Sequence, residues 1–69
     1  MKIYMKVASN ISQTSRMLYK DERRAVKEAS EQAYDLRYEP DNDGDYIVSF
    51  SSVYGTLESV YVKEVEVIE

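Results

Sequence analysis

Residues 21–33 read DERRAVKEASEQA. Ala25, Ala29 and Ala33 recur at every fourth position with Val26 beside them, which places the apolar residues on one narrow helical stripe. Asp21 is a capping residue, and Glu22 sits at the positive end of the helix dipole. The side chains of the stripe are small, so such a helix can lie close to a flat apolar surface. It cannot make a core alone. The sequence on either side must supply a sheet.

Upstream, Met1 to Ala8 alternates. Ile3, Met5 and Val7 share one face, and Lys2, Tyr4 and Lys6 share the other, as in a half-buried strand. Ser9-Asn10 carries turn chemistry. Residues 11–19, ISQTSRMLY, fit a loop, the start of a helix or a short strand. If the helix began early, Leu18 would extend its stripe.

Downstream, Tyr34, Leu36 and Tyr38 alternate with Asp35, Arg37 and Glu39, which predicts a second strand; the competing reading continues the helix to Leu36. Pro40 favours the strand because it disfavours helix at Glu39. Asp43-Gly44 is expected to supply the positive φ of a tight connection. In the following run, Tyr46, Val48, Phe50 and Tyr54 share parity and are the expected core face, with Ile47 and Val53 opposite. Gly55-Thr56 turns the chain, and Leu57 to Ile68 reads as a long strand. Its valines change phase: Val60 and Val62 are even, Val65 and Val67 odd. A β-bulge near Lys63-Glu64 would return all of them to one face. These readings give an α+β domain spanning residues 1–69. Its order is β-α-β-β-β with segment 11–19 open, and one helix packs on a mostly antiparallel three- to four-stranded sheet.

The chain has 69 residues, no cysteine and no histidine. A domain this small buries only about 60% of the surface its unfolded chain exposes. Disulfide and His/Cys zinc staples are both missing, so the core must come from strong local propensities or from a partner. The start, MKIYMKVASN, is a strand pattern and not a secretory leader. No apolar run approaches the ~20 residues that span a bilayer. The expected location is the cytoplasm, a host's cytoplasm if the protein is viral. Residues 1–34 hold seven Lys/Arg and four Asp/Glu; residues 35–69 hold two and nine. That asymmetry points to an electrostatic partner.

Catalysis is hard to build from this composition. The usual general base and thiol nucleophile are absent. The two glycines form no phosphate-cradling motif, and neither a cofactor nor a metal is expected. The stretch EPDNDGD at 39–45 resembles a calcium loop only in part. With Gly44 at the sixth position, Phe50 occupies the twelfth, where a bidentate glutamate is required. Arg16, Lys20, Arg23, Arg24 and Lys27 would form a cationic stripe if residues 16–27 were one helix. The net charge of −4 argues against duplex binding, and the pairs Arg24/Glu28 and Lys27/Glu31 would partly neutralise the stripe.

Seven tyrosines stand against one phenylalanine and no tryptophan. Tyrosine combines a rigid apolar body with a polar tip and is enriched at protein interfaces. In general character the chain resembles the small, cysteine-free, acidic inhibitors of phages and mobile elements, anti-CRISPR proteins and DNA mimics among them. The resemblance lies in size and charge, with no shared motif. It implies a non-enzymatic module that binds a protein partner with a basic surface. The expected contact residues are Asp35, Glu39, Asp41, Asp43, Asp45, Glu64 and Glu66, with Tyr38 and Tyr61 as anchors. The alternatives are a small homodimer that repairs a deficient core, and nucleic-acid binding through the basic stripe.

Overall fold

The computed structural model describes residues 1–10, 13–41, 44–53 and 58–68. Its elements are β1 (Lys2–Ser9), β2 (Thr14–Tyr19), α1 (Glu22–Asp35), β3 (Glu39–Pro40), β4 (Val48–Ser51) and β5 (Ser59–Glu66). The fold is α+β, one helix on an antiparallel sheet, and the sheet has five strands in the order β2-β1-β5-β4-β3. The additional strand is β2, which resolves the open segment.

Asn10, after β1, and Gln13, before β2, are bonded to each other. The Asn10 N–H donates to the Gln13 carbonyl at 2.9 Å, and the Gln13 N–H returns to Asn10 Oδ1 at 2.9 Å. Helix α1 then crosses from the β2 edge to the β3 edge. Asp21 caps it as expected, accepting from the Arg23 N–H at 3.1 Å. Because the helix starts at Glu22 and Arg16 lies on a strand, residues 16–27 are not one helix, and the cationic stripe that depended on this does not form.

The helix runs further than the sequence predicts. Tyr34 and Asp35 are its last residues, and the expected strand shrinks to Glu39–Pro40. The end is a Schellman motif: Tyr38 N–H donates to the Ala33 carbonyl at 2.9 Å and Arg37 N–H to the Tyr34 carbonyl at 3.1 Å. Arg37 takes the left-handed backbone, φ 61°, at the position where glycine is usual. The alternating pattern misled because that glycine is absent. Of the expected Asp43-Gly44 connection, Asp43 lies outside the described residues, and Gly44 does not take the left-handed backbone.

Register divides the strands into two faces. Ala25 and Ala29 pack on Val60 and Val62, and all of these are fully buried. Burial of each valine contributes about 2 kcal/mol. Tyr4, Ala8, Tyr19, Tyr38, Ile47 and Val48 surround this core. The helix therefore sits on the Tyr4–Lys6–Ala8 side of β1. The more apolar side, Ile3, Met5 and Val7, faces away from it.

The expected bulge at Lys63-Glu64 is absent. Pairing of β5 with β1 is unbroken from Lys2↔Glu66 to Ser9↔Ser59. The phase change is real: Val60 and Val62 face the helix, and Val65 pairs with Ile3 on the far face. The irregularity lies one strand over. The Ile47 N–H donates to the Val62 carbonyl at 2.9 Å, yet Val62 is the register partner of Val48. Two successive residues address one, as in a bulge. Ile47 consequently joins the helix-side core, while Tyr46 stacks on Tyr61 of the far face. Val48 and Phe50 keep their expected side opposite Val62 and Val60. The expectations for Tyr54, Gly55-Thr56 and Leu57 lie outside the described residues.

Candidate functional site

The helix covers one side of the sheet only. On the other side, Val7 is 2% exposed between its register partners Arg16 and Tyr61. Ile3, Met5, Tyr61 and Val65 around it are half-buried, and Leu18 is 62% exposed. Tyr46 and Tyr61 stack there with ring centroids 4.1 Å apart. Two exposed cations share this face, Lys63 opposite Met5 and Arg16 opposite Val7; a largely apolar sheet face without a covering layer is the usual ground for a partner.

The fold also separates charge. Residues 1–20 hold four Lys/Arg and no Asp/Glu, and residues 39–51 hold four Asp/Glu and no Lys/Arg. Sheet order sends these two hairpins to opposite edges, with β5 between them.

The expected contact residues do not share one surface. Glu39, Asp41 and Asp45 belong to the β3–β4 hairpin, and all three are exposed. Asp43 lies outside the described residues. Glu64 and Glu66 are on the helix side of β5, in the middle of the sheet. Glu64 is paired with Lys2 at 3.0 Å, the one ion pair among the described residues. Asp35 ends the helix, separate from both groups. Neither chosen tyrosine is a free anchor: Tyr61 is stacked on Tyr46, and the Tyr38 hydroxyl donates to Glu58 Oε2 at 3.1 Å. Burial, and then the bond to Glu58, raise the Tyr38 pKa. Among the described residues the tyrosine that projects is Tyr34, 83% exposed. Reading residues 34–36 as helix would have found it, because Tyr34 then lies off the alanine stripe.

On the helix side lies a cleft of about 260 Å³ between the C-terminal half of α1 and the Ser9/Ser59 end of the sheet. Gln32, Leu36, Tyr38, Glu58 and Ser59 are among its walls. Gln32 Oε1 is itself buried and has no hydrogen-bond partner among the described residues. No sequence signal marks it, since Gln32 reads as an ordinary helix-surface residue.

The Glu39–Phe50 calcium reading gains nothing, because Phe50 is on β4 opposite Val60. Among the described residues no group of three or more His, Cys, Asp or Glu side chains could hold a metal ion. No helix among them is long and apolar enough to cross a membrane. No protein-family model matches the chain, and no curated protein or solved structure matches it either.

Proposed function

We propose that this chain is a non-enzymatic protein-binding module that works through the helix-free face of its sheet, and that the occupant of that face is a second copy. The observation that carries this reading is the placement of Ile3, Met5, Val7, Tyr61 and Val65 on the side α1 does not cover. A small single-layer core gains most from a second layer. A stable contact needs about 800 Å² per partner, roughly 15% of the 5287 Å² this chain exposes.

Charge selects the arrangement. A two-fold axis parallel to the strands lays the β1–β2 hairpin of one copy over the β3–β4 hairpin of the other. Cationic and anionic edges then meet twice in one closed, isologous dimer.

Light scattering over a concentration series tests this. Val65→Lys should give a folded monomer, whereas Met17→Lys, on the helix side of the β2 edge, should leave the dimer intact. Arg16→Glu and the double variant Asp41→Lys/Asp45→Lys should each weaken self-association. Mixing those two should restore it as a heterodimer. A wild type that stays monomeric up to about millimolar concentration overturns the reading. Loss of the dimer in Met17→Lys alone would point instead to pairing of the β2 edges.

The inhibitor reading has its own support in the acidic β3–β4 hairpin, which could enter a basic groove of a nucleic-acid-handling protein. Glu39, Asp41 and Asp45 are its contact residues in that case. If their charge reversal leaves capture of such a partner unchanged, that reading fails.

A further inference from the structure

We propose that β2 is a docking edge for an extended acidic segment of a partner protein, which adds to the sheet as a further strand. The self-association proposed above stacks sheet faces and leaves the β2 edge open, so either proposal can fail without the other.

The two edges of the sheet differ. β3 closes one side with two residues, the carboxylate Glu39 and Pro40, which has no N–H to offer. Short length, charge and proline all keep an edge from pairing with another chain. β2 closes the other side with six residues in unbroken register with β1 and no proline. Met17 and Leu18 are 52% and 62% exposed on it.

The phase of the ladder fixes which backbone groups of β2 are free. The Asn10 N–H donates to the Gln13 carbonyl, so these two form a hydrogen-bonded pair. Bonded and non-bonded pairs alternate along an antiparallel ladder. Register then makes Ala8↔Ser15, Lys6↔Met17 and Tyr4↔Tyr19 the bonded pairs. The other side of β1 agrees: Met1 bonds Val67 beyond β5, so odd residues of β1 serve β5 and even ones serve β2. Thr14, Arg16 and Leu18 are left with their N–H and C=O groups directed away from β1. An added strand satisfies that row of donors and acceptors.

Charge selects the occupant. Arg16 is the middle one of the three outward residues. A groove of about 370 Å³ flanks the edge, with Met17, Leu18, Lys20 and Arg24 among its walls. Asp21, the carboxylate of that groove, is engaged as the helix cap, accepting from the Arg23 N–H. Arg16, Lys20 and Arg24 have no ion-pair partner, since Lys2–Glu64 is the one ion pair among the described residues. Two copies paired through all three outward residues would set Arg16 opposite Arg16, which is unfavourable. The strand that fits carries carboxylates on the Arg16 side of the sheet and apolar residues on the Met17 side. That alternation is the natural period of an extended chain.

The test is a titration of the isotope-labelled full chain with a capped peptide of alternating glutamate and valine, followed by amide shifts and hydrogen exchange. In the free chain the amides of Thr14, Arg16 and Leu18 should exchange fast and those of Ser15, Met17 and Tyr19 slowly. The peptide should shift the β2 resonances saturably and slow exchange at Arg16 and Leu18 roughly tenfold or more. The same peptide N-methylated at its glutamates, which lacks the donors facing β2, should give no such protection. A peptide with lysine in place of glutamate should not saturate. Leu18→Pro removes an outward N–H without touching a bond to β1, and should weaken binding roughly tenfold or more. The double variant Lys20→Glu/Arg24→Glu should weaken it severalfold and serves if Leu18→Pro does not fold. A folded spectrum without saturable shifts overturns the proposal, as do shifts confined to residues outside β2 and the groove. Equal binding of the N-methylated or the lysine peptide overturns it as well. So does protection of Arg16 that rises with protein concentration in the absence of peptide, which would mean that two copies pair through β2.

Discussion

Tyr46 stacks on Tyr61 with ring centroids 4.1 Å apart and planes inclined by 24°, although its even parity with Val48 and Phe50 would send it to the helix side. The bulge at Ile47 puts it where it is. A double-mutant cycle with Tyr46→Leu and Tyr61→Leu should give a coupling of about 1 kcal/mol beyond the loss of buried area. Urea unfolding of the two single variants and the double variant measures it. Additive losses would mean that the rings merely lie near each other.

Arg37 holds a left-handed backbone at φ 61° to close the Schellman motif. For a residue with a Cβ that conformation costs on the order of 1 kcal/mol. Arg37→Gly should therefore stabilise the fold by about that amount, or about 4–8 °C in Tm for a domain of this size. The added freedom of glycine in the unfolded chain reduces the gain. A thermal melt that moves downward would show that the Arg37 side chain contributes more than its backbone costs.

Gly44 behaves in the opposite way. A Cβ placed there meets no heavy atom of the described residues within 4 Å, and the backbone is not left-handed. Gly44→Ala should be neutral or stabilising by up to about 1 kcal/mol, through reduced freedom of the unfolded chain. A clear loss on denaturant titration would contradict the described backbone.

Tyr38 makes stability fall at alkaline pH. Its pKa is raised, first by burial and then by the hydrogen bond to Glu58, so the folded protein holds the phenolic proton more tightly than the unfolded chain does. The associated stabilisation is complete below the unfolded value of about 10 and is lost as pH rises through the folded value. Urea midpoints between about pH 9 and pH 11 should drop more for the wild type than for Tyr38→Phe. Equal slopes would remove Tyr38 as the source.

The sequence carries the helix start, β1 and the helix-side placement of Val60, Val62, Val48 and Phe50 in plain view, because periodicity and capping report local geometry. Three features escape it. Arg37 gives no stop signal, since the Schellman hydrogen bonds are made by backbone and tolerate a non-glycine at some cost. The side of β1 that receives the helix is not a local property: Ile3, Met5 and Val7 are the more apolar set, yet the Val60/Val62 pair decides. The cleft around Gln32 and Glu58 joins residues 26 positions apart, and only the tertiary fold brings them together. The acidic residues were legible as charges but not as a surface, because β5 separates Glu64 and Glu66 from the β3–β4 edge.

The longest-lived uncertainty for a growing chain is set by the middle of the sheet. β5 lies between β1 and β4, and its pairing with β1 extends to a bond from the Val67 N–H to the Met1 carbonyl at 2.8 Å. The first strand has to wait for the last. Until β5 has emerged from the ribosome, β1 and β2 can form a hairpin with α1 against it, but the β1 edge that β5 will pair with stays open. Folding is then expected to be slow for so short a chain, since the decisive contact closes nearly the whole sequence into one loop. A rearranged gene that places β5 directly before β1, joined by a short turn, would convert that closure into a hairpin and speed folding without altering any contact in the sheet.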